Sequence, residues 1–177
     1  MANIFKEGKM LSNVADSYLA NAVADFDMPN GSLVVLGDLA DDKTYAKDGL
    51  EYDTYKAAKV AAETDEVVIV DYAGISEGEI GGNNYKFGNK LYELVVPAGE
   101  ITRVRRLALH DKFWVAKDNF NGAPVKGQYA IAEAEKLTLK PNAEKTANFC
   151  VKVLEERDLV AGMRNVDKMY LCEVVSL

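Results

Sequence analysis

The stretch VPAGEITRVRRLALHDKFWV, Val96–Val115, holds three of the chain's five arginines, its only histidine and its only tryptophan. Such a crowd of rare side chains suggests an anion site or half of an active site. Its punctuation suggests something else. Pro97-Ala98-Gly99 is turn chemistry, and His110-Asp111 is a second short break. Between them ITRVRRLAL is rich in β-branched and long side chains, and KFWVAKDNF follows with aromatic and branched residues. The stretch therefore reads as strand, turn, strand. On a strand, Arg103 and Arg105 share one face, and Val104 and Arg106 the other. Two readings of the arginines stay open: surface pairing with carboxylates of the same chain, or a bidentate grip on an acidic partner surface.

The same grammar extends in both directions. Pro29-Asn30-Gly31 is a turn that launches SLVVLGDL, a short apolar strand ending at Gly37. DDKTYAKDG is a polar loop. Tyr52–Ala61 reads as a strand followed by irregular chain, and EVVIVDY is strongly β-branched. Ala73–Asn89 carries five glycines and reads as an exposed loop, followed by the strand KLYELVV. Beyond the central stretch, NGAPVKG is again turn chemistry. QYAIA and KLTLK alternate as strands, and Pro141-Asn142 is a turn. TANFCVKVLEE and DKMYLCEVVSL close the chain, separated by the polar segment Arg157 to Val166. About ten short strands with regular turn signals predict an all-β fold, a compact β-barrel or β-sandwich.

Residues 1 to 28 look different. NVADSYLANAVADFD mixes small apolar residues with Asn and Asp. Val14, Tyr18, Ala22 and Phe26 are spaced as on a helix, while Tyr18, Ala20, Ala22 and Ala24 alternate as on a strand. This segment reads as an N-terminal arm, extended or partly helical, that needs another surface to lie on. Residues 29 to 177 form the domain, which is expected to fold without the arm.

Composition narrows the function classes. The 177 residues fit one domain with a sizeable core. The net charge of −7 and a pI of about 4.8 argue against a general nucleic-acid binder, which needs clustered Lys and Arg. Cys150 and Cys172 are too few for a disulfide framework or a four-ligand zinc site. They read as two buried free thiols, with a disulfide as the minor option. No apolar run approaches the length of a membrane span, and the N-terminus lacks a signal-peptide h-region. No membrane partner is expected, and synthesis is expected in a reducing cytoplasm.

No motif asks for catalysis. The glycine-rich loop lacks the Lys-Ser/Thr pair of a phosphate loop and the spacing of a dinucleotide fingerprint. Any Ser-His or Cys-His pair must use His110, which sits in a turn. Ser76 in GISEG lacks the glycine of a nucleophile elbow. Glu155 and Glu156 point to opposite strand faces, and Asp41-Asp42 lacks calcium-loop spacing. No cofactor and no metal are expected. Trp114, beside Phe113, reads as core or as a subunit contact.

The order of pieces resembles a known family. A short arm leads to NGSLVVLG, then VPAG, then RVRRLAL, then a turn containing Asp, then KFWVAKDNF and the Gly127-x-Tyr129 step. This resembles the proteins that decorate or cement the capsids of tailed bacteriophages. In that family a Gly-Asp turn precedes the second strand; here His110 stands in the glycine's place. The resemblance implies a non-enzymatic β-barrel virion protein on the capsid exterior, synthesised in the cytoplasm of a bacterial host and binding the major capsid protein through an arm. It implies no catalytic residue. Candidate partner-binding residues are Phe5, Tyr18 and Phe26 of the arm, then Arg103, Arg105, Arg106 and Trp114. Self-association as a trimer is kept open, with Trp114 and Phe113 at the contact. A phage tail or fibre adaptor is the near alternative. A β-domain that binds nucleic acid through the arginine strand is a further one, and an enzyme with an atypical carboxylate or metal site is the last.

Overall fold

The computed structural model describes residues 4–40, 54–62, 65–72, 95–146, 148–161 and 164–177, with the backbone alone for 159–167. The polar loop around Asp41-Asp42, the glycine-rich loop with Ser76 and most of the strand KLYELVV lie outside the described residues.

The fold is all-β, in keeping with the turn spacing. Thirteen strands occur among the described residues. Five form a closed barrel: β2 (Leu19–Val23), β4 (Leu33–Leu39), β5 (Thr54–Ala58), β6 (Val67–Val70) and β8 (Thr102–Arg106). Their order is β2-β5-β4-β6-β8, and β8 returns antiparallel to β2 to close the ring. Six others form an open sheet: β1 (Phe5–Glu7), β9 (Lys112–Ala116), β10 (Tyr129–Ala132), β11 (Leu139–Asn142), β12 (Cys150–Ala161) and β13 (Arg164–Ser176), in the order β1-β9-β13-β12-β10-β11. The pair β3 (Met28–Pro29) and β7 (Val95–Val96) adds a small third ribbon.

Two cores result, and β4 and β6 are the wall between them. Along β6, Val67 and Ile69 face one core while Val68 and Val70 face the other, and all four are buried. On β4, Leu33 and Val34 divide in the same way. That explains the continuous run EVVIV: a strand buried on both faces has no solvent side to keep polar. The larger core lies between this wall and the inner face of the open sheet, around Phe113, Val115, Val151 and Val174. The smaller one fills the barrel with Ala22, Ala24, Val34, Ala57 and Val104, plugged by Met28 and Val96. A five-stranded barrel is narrow, so its interior takes small side chains.

This corrects the reading of residues 1 to 28. The segment is extended, as expected, with two short 3-10 turns at Leu11–Asn13 and Asp16–Tyr18. What it lies on, however, is the chain itself. β1 is an edge strand of the open sheet with Phe5 buried, and β2 is a stave of the barrel. Of the two competing periods, alternation wins: Ala20, Ala22 and Ala24 all face the barrel core. Their small size, which made the segment look coreless, suits the space inside the barrel. No boundary falls at residue 28.

Two further expectations change. Arg157 to Val166 was expected to separate the last strands. Instead β12 and β13 pair through it as far as Ala161 and Arg164. Neighbours flank this hairpin only near its base, since β9 pairs with Met169–Glu173 and β10 with Cys150–Lys152 at the other side. Beyond the flanked part the hairpin runs on as a two-stranded ribbon, and Glu156, Arg157, Asp158 and Lys168 on it are exposed. Pro141-Asn142, expected as a turn, belongs to β11, an edge strand where a missing N–H costs no ladder bond. Cys150 and Cys172 are free and buried, and they do not face one another, because Cys172 lies opposite Val153 and Cys150 opposite Ser176.

Five tight turns share one geometry. Ser32, Glu100, Asp111, Gln128 and Lys136 each donate a backbone N–H to the carbonyl three residues earlier. The third residue of each turn has positive φ: Gly31, Gly99, His110, Gly127 and Glu135. That is the type II pattern, in which glycine is favoured at this position. The chain obeys the preference three times and departs from it twice.

Removing residues 1–28 takes out β1 and a barrel stave, so the remainder is expected to lose its cooperative unfolding transition, measured by circular dichroism against urea. A milder variant gives the same test. A Cβ at Gly8 would sit 2.4 Å from the carbonyl oxygen of Lys112. Gly8→Ala should therefore destabilise the full chain by about 1–3 kcal/mol. A truncated protein as stable as the full chain would restore the arm.

Candidate functional site

The arginine strand β8 lies between β2 and β6, and the alternation reads as expected. Val104 points into the barrel core, while Arg103 and Arg105 point outward. The three arginines then part company. Arg103 is half-exposed, and its Nη2 meets Asp71 Oδ2 at 2.6 Å. Arg106 is partly exposed; its Nη1 meets Glu66 Oε1 at 3.2 Å, and its guanidinium carbon lies 5.8 Å from the centre of the Tyr55 ring.

Arg105 is buried, with its side chain only 5% exposed. Its fork is fully engaged inside the molecule. Nε donates to Asp71 Oδ2 at 2.7 Å, and Nη1 donates to Ser12 Oγ at 3.1 Å and to Asn13 Oδ1 at 2.9 Å. Nη2 pairs with Glu7 Oε2 at 2.8 Å. The acceptors come from β1, from the 3-10 turn after it and from the end of β6. Arg105 is therefore a bolt between the barrel and the N-terminal segment. It is not free to bind a partner, which corrects its place among the candidates. The physical reason is that a buried guanidinium is tolerated only when its charge and donors are met internally.

The other candidates are dispersed. Phe5 is buried, 6.0 Å from the Phe113 ring, and offers no surface. Phe113 itself is fully buried and belongs to the core. Phe26 is half-buried beneath Lys59, whose Nζ is 5.5 Å from the ring centre. Tyr18 is half-buried at the end of its 3-10 turn. Trp114 is neither core nor bare surface. It stands on the outer face of the open sheet, half-buried, with the Arg157 guanidinium 5.0 Å from its ring centre. Arg103 and Arg106 come together at a surface groove of about 470 Å³, shared with Asp16, Leu19, Asn21 and Tyr55.

The His110-Asp111 pair is architecture. His110 is 73% exposed, with Nδ1 3.2 Å from Glu173 Oε1. Asp111 is buried and holds two chain segments: Oδ1 accepts the Leu11 N–H at 2.8 Å and Oδ2 accepts the Ala108 N–H at 2.9 Å. Burial pushes the Cys172 thiol well above its ordinary value, so the sulfur stays protonated and inert. Among the described residues no group of three His, Cys, Asp or Glu side chains is placed to hold a metal ion, and no helix is long and apolar enough to cross a membrane.

Asp71, Glu7, Ser12 and Asn13 carry the Arg105 contacts and were not foreseen from the sequence, while Asp111 was read as part of a turn and not as a tie to Leu11. Asp71 lies 34 positions from Arg105 and Ser12 lies 93. In a chain with 28 acidic residues no local signal marks the few that matter. No family model, no curated protein and no solved structure matches the chain.

Arg105→Ala should cost about 2–3 kcal/mol in urea unfolding, because it leaves the buried Ser12 hydroxyl without its partner and the nearly buried Asp71 with Arg103 as its remaining cation. Arg105→Lys should recover little, since an ammonium cannot reach acceptors spread around a fork. Arg103→Ala, at a half-exposed pair, should cost about 1 kcal/mol or less. Equal costs at the two positions would contradict the division. At His110 the usual order of substitutions should reverse: His110→Gly should be more stable than His110→Ala by about 1 kcal/mol, because only glycine adopts positive φ without strain.

Proposed function

We propose that this chain is a structural protein of a tailed-bacteriophage virion that binds the outer surface of the capsid, contacts the major capsid protein and stabilises the shell. It acts by binding, without catalysis and without a cofactor. The reading rests on the resemblance of the VPAG, RVRRLAL, His-Asp and KFWV pieces to capsid-decorating proteins.

The observation that carries it is the turn at His110. The family pattern has glycine there, and this chain departs from it. His110 nevertheless holds φ at 71°, the conformation that glycine adopts most readily. The substitution is thus one that keeps the turn: the backbone conformation is the same, and histidine is among the residues enriched there. The departure weighs less against the resemblance than the bare letters suggest.

The surface that meets the capsid is not a detached arm in this reading. Residues 5 to 28 are woven into both sheets, so affinity comes from preformed surface rather than from a segment ordered on binding. Arg103 and Arg106 are the arginines still positioned for an acidic neighbour. Among the described residues each makes one ion pair, which leaves most of its five N–H donors for the groove. Tyr18 stands nearby on the same N-terminal segment, and Trp114 stands on the opposite sheet. Many equivalent sites on a lattice would add avidity to weak single contacts.

Mass spectrometry and cryo-electron microscopy of purified particles test this. The expected result is the chain on the outer shell, in copies commensurate with the capsid lattice. Placement at the tail alone would make it a tail component. Absence from particles would overturn the virion reading. Addition of the purified chain to heads that lack it should raise the temperature at which they release DNA.

A further inference from the structure

The outer face of the open sheet is charged against the trend of the molecule. Directly opposed residues on neighbouring strands share a face. One row crosses five strands: Lys112, Glu173, Lys152, Tyr129 and Asn142. The next contains Lys6, Trp114, Leu171 and Glu155. Arg157 and Met169 oppose one another beyond it, and Lys140 lies beside Ile131. Among the described side chains of these rows five cations thus stand against two carboxylates, while the whole chain carries −7. The apolar members Trp114, Tyr129, Met169 and Leu171 are half-buried rather than covered. By construction this face is turned away from the barrel, because the alternate residues Phe113, Val115 and Val174 fill the core.

A surface of complementary character occurs elsewhere on the same chain. The Pro97–Glu100 turn between β7 and β8 is exposed. Val95 and Ile101 flank it with 36% and 39% of their surface in water. Asp27 Oδ1 accepts the Ala98 N–H at 3.0 Å, and the Ala24 carbonyl accepts the Gly99 N–H at 2.8 Å, which brings Asp25 and Asp27 beside Glu100. All three carboxylates are exposed. The turn is therefore a small knob, apolar at its flanks, with the carboxylates of Asp25, Asp27 and Glu100 at its rim and Lys56 and Lys59 in the adjoining groove.

We infer that the outer face of the open sheet binds the Pro97–Glu100 turn of a second copy of this chain, head to tail. The charges are complementary in sign, and apolar residues stand on both sides. The two surfaces are different, so the contact is heterologous and closes into a ring or runs on as a chain, according to the rotation between copies. A single-stranded nucleic acid fits the face less well. Each of its two rings already carries a cation, Arg157 at Trp114 and Lys152 at Tyr129, whose Nζ lies 5.9 Å from the ring centre. Base stacking needs open rings. The inference does not depend on the capsid reading, since it concerns the purified chain alone.

Sedimentation velocity of the full chain tests it. At about 0.1 M salt the protein should show concentration-dependent species larger than a monomer, and these should shift toward monomer at about 1 M, where screening is strong. Lys112→Glu with Lys152→Glu should weaken the association by about tenfold or more, and so should Asp25→Lys with Glu100→Lys. Mixing the two reversed proteins should restore a complex, because each retains one native half and the reversed halves complement one another. Circular dichroism checks that each variant is folded. A wild-type monomer at every concentration overturns the inference. So does a mixture that fails to associate, which would point to a face-to-face contact. Binding of a labelled oligothymidylate by the monomer at the same low salt would reassign the face and also overturn it.

Discussion

A single buried guanidinium holds the two halves of this protein in register. Arg105 lies on a barrel stave, yet three of its four acceptors come from residues 7 to 13, which belong to the open sheet and the turn that follows it. The fourth, Asp71, ends the strand shared by both cores. Its Oδ2 also meets Arg103, so one carboxylate anchors two arginines. A charge so placed contributes little net stability compared with a well-packed apolar substitute. What it contributes is position: the fork accepts its partners only when sheet and barrel are correctly placed.

The apolar counterpart of that bolt is the wall formed by β4 and β6. Both cores press on it, so neither layer has an independent interior. Leu33 and Ile69 pack against the sheet while Val34 and Val68 pack inside the barrel. A slip of one residue in either strand would exchange the two sets. Leu and Ile would then enter a space now lined by Ala22, Ala24 and Ala57. Register is specified from both sides at once. The turns reinforce it, since Gly31 N donates to the Val70 carbonyl and ties the start of β4 to the end of β6.

What could be read from the sequence was local. Gly31, Gly99 and Gly127 mark turns because their conformational requirement belongs to one residue and its neighbours. EVVIV marks a buried strand because burial on two faces leaves an unbroken apolar run. The alternation of Arg103, Val104 and Arg105 predicted their faces correctly. What could not be read depends on distant partners. Whether Arg105 grips a neighbour or its own chain is decided by Glu7 and Asp71, far away in sequence. The alanines of the N-terminal segment look uncommitted until the narrow barrel they fill is known. Arg157 and the polar residues after it look like a loop, because a two-stranded ribbon without flanking strands needs no apolar face. Trp114 looks like core because tryptophan usually is; a cation stacked on its outer side was not visible in the spacing.

The seam of the barrel has a consequence for how the chain is made. β2 pairs with β5 on one side and β8 on the other. It emerges from the ribosome roughly eighty residues ahead of β8, a wait of several seconds at typical synthesis rates of about 5–20 residues per second. During that interval the edge that β8 will cover is open to any passing strand, and the other edge is open until β5 follows. Its composition suits the wait: Leu-Ala-Asn-Ala-Val is far less adhesive than the Val-Val-Ile-Val of β6. The same small side chains that fit the finished barrel keep its earliest stave soluble until the last one arrives.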